Sequence, residues 1–306
     1  MSTGWMQVVH VIELVTLPLL LACVVRKTKA LMQGRPGPPF LQPLFDFAKR
    51  LGKSETVSTT TSWVFLANPL VGLSIALVLA VVLPWTGAEP LFKGTGAADL
   101  ILVVYLLAFA RFFSMLAALD AGSAFGGIGA SREATLSVLI EPGLLVSLAA
   151  VALAGGTMDL SVALETPFRS TVALLSGSAF LLAALAELSR MPVDDPTTHL
   201  ELTMVHEATI LENSGRNLAL IEAAVAVRTA VFFGVGVRIL FGWIQPYATA
   251  GLVQAIFSAV AILLLGSLLG VLEGITVKLN WRRVPAFGAF STALAVRAAF
   301  VAVVGR

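Results

Sequence analysis

The chain has 306 residues, 58% hydrophobic and only 12% charged, with a formal net charge of +2. Soluble domains average about 25% charged residues, so a water-soluble fold of this length would lack the polar surface to cover itself. The single cysteine, Cys23, excludes an intrachain disulfide and a thiolate-ligated cluster, and the sequence contains no CxxC, HExxH, Walker loop or dinucleotide fingerprint.

Apolar runs of about 20 residues recur along the chain, each long enough to cross a hydrocarbon core of roughly 30 Å. The N-terminus, MSTGWMQVVHVIEL, lacks a basic n-region and a small-residue cleavage site, so it reads as the start of a retained helix. The first span is predicted over Trp5–Val25, closed by Arg26, Lys27 and Lys29. After the proline-rich GRPGPPFLQP comes LFDFAKRLGK. There Leu44, Phe45, Phe47, Ala48 and Leu51 form an apolar stripe, with Asp46, Lys49, Arg50 and Lys53 largely opposite. This pattern predicts a short amphipathic helix lying along the membrane surface.

Further spans are predicted over Trp63–Leu83, Asp99–Leu119, Ala134–Leu153, Phe168–Ser189, Leu218–Phe241, Leu252–Leu272 and Val284–Val304. The glycine-rich stretch Ala121–Ser131 reads as the connector between the third and fourth. The expected architecture is all-α and polytopic: one integral membrane domain over 1–306 with eight transmembrane helices. Its main polar loops are 26–62, which holds the amphipathic helix, and 190–217. Sorting the loops by side puts Arg26, Lys27, Lys29, Arg35, Lys49, Arg50, Lys53, Arg132, Arg190, Arg216, Lys278, Arg282 and Arg283 together. The positive-inside rule makes that side cytoplasmic and both termini external.

Ionisable residues inside the spans are costly in hydrocarbon and persist where they pair or line a wet path. Here they are Glu13, Arg111, Glu141, Glu187, Glu222 and Arg228. Counted along the helices at about 1.5 Å per residue, Arg111, Glu141, Glu187 and Glu222 reach similar cytoplasmic depths, while Glu13 and Arg228 lie deeper. Arg111–Glu141 and Glu222–Arg228 are candidate pairs that could simply lock helix packing. Four glutamates in four separate helices favour an ion path, because burial raises a carboxyl pKa and a nearby arginine pulls it back.

The segment 186–215, AELSRMPVDDPTTHLELTMVHEATILENSG, is the most polar of the chain. Pro192 and Pro196 bracket Asp194 and Asp195 in a turn, and from Thr198 the pattern turns helical, with Glu201, Glu207 and Glu212 supplying acidity. An acidic loop on a basic face is expected to meet a protein partner or receive protons rather than touch lipid headgroups. His199 and His206 lie about 10 Å apart on a helix, so hydrogen-bonded imidazoles are expected rather than a metal pair; His206 and Glu207 are adjacent candidates for handling protons.

Several landmarks then fall in order: GRPGP…LQP…D…K (Gly34–Lys49), GIGASREA…LIEP (Gly127–Pro142), ELSRMPVDDP…LEL (Glu187–Leu202) and ENSG (Glu212–Gly215). Together they resemble the membrane-anchor subunit shared by respiratory complex I (its subunit 1, the H-type) and group 4 membrane-bound hydrogenases, including formate hydrogenlyase. The stretch DDPTTHLELTMVHE is closer to the hydrogenase form, and the loop is about one helical turn longer than in the complex I form. The resemblance implies ion coupling through Glu141, Glu187, Glu201 and Glu222, with Arg132 and Arg190 as partners. It implies a subunit with no catalytic centre or cofactor of its own. Nickel–iron and iron–sulfur centres, or quinone, would sit in or with partner subunits. Those partners would be hydrogenase-like large and small subunits and a ferredoxin-like cluster subunit on the cytoplasmic face, and antiporter-like subunits in the bilayer; no nucleic-acid partner is expected. The alternatives are a quinone-site subunit of a complex I-type oxidoreductase and a stand-alone secondary transporter. The lack of an internal repeat argues against the transporter.

Overall fold

The computed structural model describes residues 3–194, 204–243 and 251–304. Eleven α-helices are present among them: α1 Thr3–Met32, α2 Gln42–Leu51, α3 Trp63–Val82, α4 Leu100–Asp120, α5 Ala124–Gly155, α6 Leu160–Ala163, α7 Ser170–Glu187, α8 His206–Ile210, α9 Gly215–Phe241, α10 Gly251–Ile275 and α11 Val284–Val304, the last entered through a 3₁₀ turn at Trp281–Arg283. Eight are long and apolar enough to cross a membrane, which makes the chain a multi-pass, all-α membrane protein. The spans pack in a closed set of neighbours. α9 touches α3, α7, α10 and α1; α5 touches α4, α7 and α11; α1 lies along α10.

Two boundaries differ from the sequence reading, and both have local causes. α1 does not stop at Val25 but carries its basic cluster on to Met32. The glycine-rich stretch is not a connector throughout: after a turn at Gly122 (φ 67°), Ser123 caps a helix whose first residue is Ala124. The Ser123 hydroxyl accepts from the Gly126 N–H at 3.0 Å, taking up one of the free donors of the first turn. Gly129 then serves contact rather than flexibility, since a Cβ there would lie 3.0 Å from the Thr209 nitrogen of α8. α5 therefore begins ten residues before the expected Ala134.

Small residues also set the α1–α10 seam. Gly266, Gly270 and Gly274 fall at every fourth position of α10 and face Leu21, Thr28 and Met32 of α1, and a Cβ on Gly270 would come within 2.9 Å of the Val25 carbonyl oxygen. In a bilayer, where apolar burial drives little association, such close backbone approach supplies the packing.

The end of α3 shows how the core handles a proline. Pro84 has no N–H to offer the Ala80 carbonyl four residues back. His10 Nε2 (2.8 Å) and Trp85 Nε1 (2.8 Å) donate to it instead, and both residues are fully buried. Leu83, before the proline, is extended (φ −82°, ψ 142°) and ends the helix.

Candidate functional site

The end of the bundle that carries α2 and the segments 188–194 and 204–214 gathers most of the intramembrane charge among the described residues; it is called the loop end below. Arg111 of α4 is its centre and is buried. Its Nη1 donates to Glu141 Oε1 of α5 at 2.7 Å, its Nε faces Glu133 Oε1 two turns earlier in α5 at 3.5 Å, and its Nη2 pairs closely with Glu187 Oε2 at the end of α7. One guanidinium thus holds carboxylates from two further helices through separate nitrogens, the fork geometry to which arginine is suited.

Arg228 of α9 faces the same group, and among the described residues its Nε has no hydrogen-bond partner. Glu133 Oε2 is likewise buried and unpartnered. Both line a cavity of about 50 Å³, together with Asn68, Ser114, Glu187, His206 and Thr209. A water needs roughly 10–15 Å³ measured this way, so the space suits about three to five waters beside Glu133 Oε2 and Arg228 Nε. Three carboxyls against two guanidiniums make the group charge-neutral with one proton bound. The volume is far below the roughly 300–1,000 Å³ of small-molecule pockets.

The loop above the cavity is tied to the bundle through ions. Asp194 accepts from the His206 backbone N–H at 3.1 Å and pairs with Lys278, beyond α10, at 2.5 Å. Arg190 reaches Glu273 Oε1 near the end of α10 at 3.3 Å, and Lys29 of α1 meets the other oxygen of Glu273 at 3.5 Å. Arg132 donates to the Met204 carbonyl at 2.7 Å. Burial pushes the His206 imidazole down to about 4, and the Arg228 and Arg190 guanidiniums act in the same direction. His206 is therefore neutral at pH 7.

The residues singled out from sequence are distributed as follows. Arg111, Glu141, Glu187 and Arg228 come together. Arg132, Arg190, Asp194 and His206 join the loop to them. Glu207 is half-buried on α8 and Glu212 is exposed. Asp195, His199 and Glu201 lie outside the described residues. The candidate Glu222–Arg228 pair is not formed: Glu222 pairs closely with Arg50 of α2 instead. Six residues along α9 is more than one turn, so the two side chains leave the helix in different directions, and α2 brings Arg50 to Glu222. Glu13 stands apart, facing Thr86 and Arg238 in the other half of the bundle.

Sequence reasoning misses Glu133, Glu273, Arg238 and Arg297. Glu133 falls just before a predicted span, and Glu273 one residue beyond another. Arg238 and Arg297 lie inside predicted spans, where a charge alone is a signal. Among the described residues, no group of three His, Cys, Asp or Glu side chains is placed to hold a metal ion.

The fold and this site define a polytopic α-helical membrane protein with a charge cluster set beneath a long polar loop. A family model described as NADH dehydrogenase matches residues 5–304. Formate hydrogenlyase subunit 4 of Escherichia coli (strain K12) is 33% identical over 257 residues, covering 81% of this chain and 82% of that protein. Hydrogenase-4 component C of the same organism is 34% identical over 255 residues, covering 80% and 78%. The H-type subunit of the NADH-quinone oxidoreductase of Rubrobacter xylanophilus is 31% identical over 239 residues, covering 72% and 69%. Among solved structures, a chain of the membrane-bound sulfane sulfur reductase, an archaeal respiratory membrane complex, superposes with a TM-score of 0.77 at 20% identity, covering 98% of this chain and 99% of that one, a likeness of fold. The chain belongs to the NADH dehydrogenase family and is complex I subunit 1-like.

Proposed function

We propose that this chain is the membrane-anchor and ion-coupling subunit of a group 4 hydrogenase-like, complex I-related oxidoreductase in the cytoplasmic membrane, with both termini external. Its loop end would face the cytoplasm and dock a hydrophilic electron-transfer arm of hydrogenase-like large and small subunits and a cluster-bearing subunit. Antiporter-like subunits would adjoin it in the bilayer. The redox centres belong to those partners; this chain supplies anchoring and the response to them. The hydrogenase-type relatives match it at 33–34% identity over 80–81% of the chain, against 31% over 72% for the quinone-type relative from Rubrobacter xylanophilus, which favours the hydrogenase form.

The observation that carries the reading is the Arg111 cluster beside a cavity with room for a few waters, placed under a segment that is anchored by ion pairs. Glu187 is the last residue of α7, three before Arg190. A displacement of the loop by a docked partner would therefore pull on Glu187, Arg190 and Asp194 together. That would change the hydration of the cavity and the distribution of its proton among Glu133, Glu141 and Glu187. Glu141, with 42% of its side chain exposed, is the member placed to pass a proton beyond the cluster.

The test is Glu141→Gln in the intact complex in inverted membrane vesicles. Electron transfer is expected to continue while proton or sodium movement falls at least about tenfold, as a relay residue warrants. Undiminished ion movement per electron in that variant would remove the coupling role.

A further inference from the structure

Arg297 sits thirteen residues into α11 with seven to follow. At about 1.5 Å per residue it is about 20 Å from the start of the helix and about 10 Å from its end. Its Cα–Cβ bond tilts towards the N-terminal end of α11, as in any α-helix. It is exposed, and among the described residues no carboxylate lies within ion-pair distance of it. A bare guanidinium at that depth is costly against hydrocarbon.

Arg297 lies on the rim of an open groove of about 780 Å³ between α5 and α11, walled by Val138, Pro142, Ala289, Ala293, Val296 and Phe300. Along α11 the groove runs from Pro285 to Phe300, about 22 Å of helix and most of a bilayer core of roughly 30 Å. Its α11 wall is rich in small side chains, which let a second helix backbone come close. On α5, one residue before Pro142 of the groove wall, Glu141 leaves 42% of its side chain exposed although it pairs with Arg111. The α5–α11 region therefore offers a cation, a carboxylate and apolar walls at membrane depth. Lipid tails satisfy only the walls.

We infer that the α5–α11 groove is the docking surface for a transmembrane helix of a neighbouring membrane subunit, and that this helix carries a carboxylate at the level of Arg297. The inference rests on the reading of the chain as one subunit of a multisubunit membrane assembly. A protein helix is favoured over a phospholipid because the groove runs along most of the bilayer core with small side chains that admit a helix backbone, and acyl chains offer no counter-charge at this depth.

The experiment places p-benzoylphenylalanine at position 300 of the tagged chain in the assembled complex, irradiates native membranes and identifies the adducts by mass spectrometry. The expected product is a covalent adduct with a second membrane subunit. Its yield should fall about tenfold with Arg297→Glu, as loss of an oppositely charged partner warrants, and less than about twofold with Arg297→Lys. Should Arg297→Glu fail to accumulate, Arg297→Gln serves in its place, with a loss of about fivefold expected. Adducts with phospholipid alone, or a protein adduct indifferent to the charge at 297, would overturn the inference. A tagged chain that recovers no other subunit would instead bring down the assembly reading. Recovery of the hydrophilic arm with lipid-only adducts would remove the docking surface alone.

Discussion

Two polar regions lie inside the same helix bundle and differ in the space beside them and in their ties to the surface. At the loop end, Arg111 gathers Glu133, Glu141 and Glu187 beside a cavity, and Glu133 Oε2 and Arg228 Nε have no partner. In the other half, His10 has both ring nitrogens engaged, with the Ala80 carbonyl at 2.8 Å and the Thr86 hydroxyl at 3.1 Å, and Arg238 Nε donates to the Pro84 carbonyl at 3.0 Å. Glu165 lies near Arg238 at 3.7 Å and pairs closely with Lys93. His10, Trp85 and Arg238 serve carbonyls at the proline-broken end of α3, a structural task with a local cause. Glu13 Oε2 in that half is also buried without a hydrogen-bond partner among the described residues, so open space and ties to a surface segment, rather than a surplus carboxyl, distinguish the loop-end region from one that holds a helix end in place.

The largest expected effect tests whether the loop-end cluster is held by a single residue. Arg111→Met leaves buried carboxylates without their counter-charge, a change worth about 3–5 kcal/mol when one partner of a buried ion pair is removed. The chain should lose most of its membrane abundance and melt at a much lower temperature in detergent, with partial recovery for Arg111→Lys. A variant that accumulates and melts like the parent would mean that the cluster is not held by Arg111 in the folded protein.

This asymmetry is only partly legible in the sequence. Hydropathy locates the eight spans because each is a long apolar run, and depth counting brings Arg111 to the level of Glu141, which it meets at 2.7 Å. Depth along a helix says nothing of direction around it. So the sequence matches Glu222 to Arg228 on its own helix, whereas α2 delivers Arg50 to it. Glu13, although a member of the expected ion path, faces the other half of the bundle. Glu133 is hidden because Gly126, Gly127 and Gly129 read as a turn. The Ser123 cap and the close contact of Gly129 with α8, which make that stretch helical, depend on tertiary packing.

A smaller effect separates His206, which lines the cavity, from an ordinary surface histidine. Its pKa falls from 6.5 unfolded to about 4 folded, so between those values the unfolded state binds more protons. Stability then falls as pH drops from about 6.5 towards 4, and this contribution is fully present above 6.5. The melting temperature should decline across that window, and His206→Gln should flatten the decline, because the substituted side chain carries no titrating proton. An identical pH profile for the two proteins would place His206 in water, away from the guanidiniums of Arg228 and Arg190.

The smallest effect is expected at Arg50–Glu222, and it marks the edge of the cluster. Both side chains are about one-third exposed, 31% and 36%, so water and salt screen the pair. Exposed ion pairs contribute about 0–1 kcal/mol. A double-mutant cycle with Arg50→Met and Glu222→Gln should give a coupling within that range, and it should shrink further in high salt. Glu222→Gln should also disturb ion movement less than Glu141→Gln, because Glu222 binds α2 to α9 outside the cavity wall. A salt-insensitive coupling well above about 1 kcal/mol would move Glu222 out of the screened edge and into the low-dielectric group around Arg111. The boundary of the buried charge cluster would then have to be drawn beyond α9, with α2 inside it.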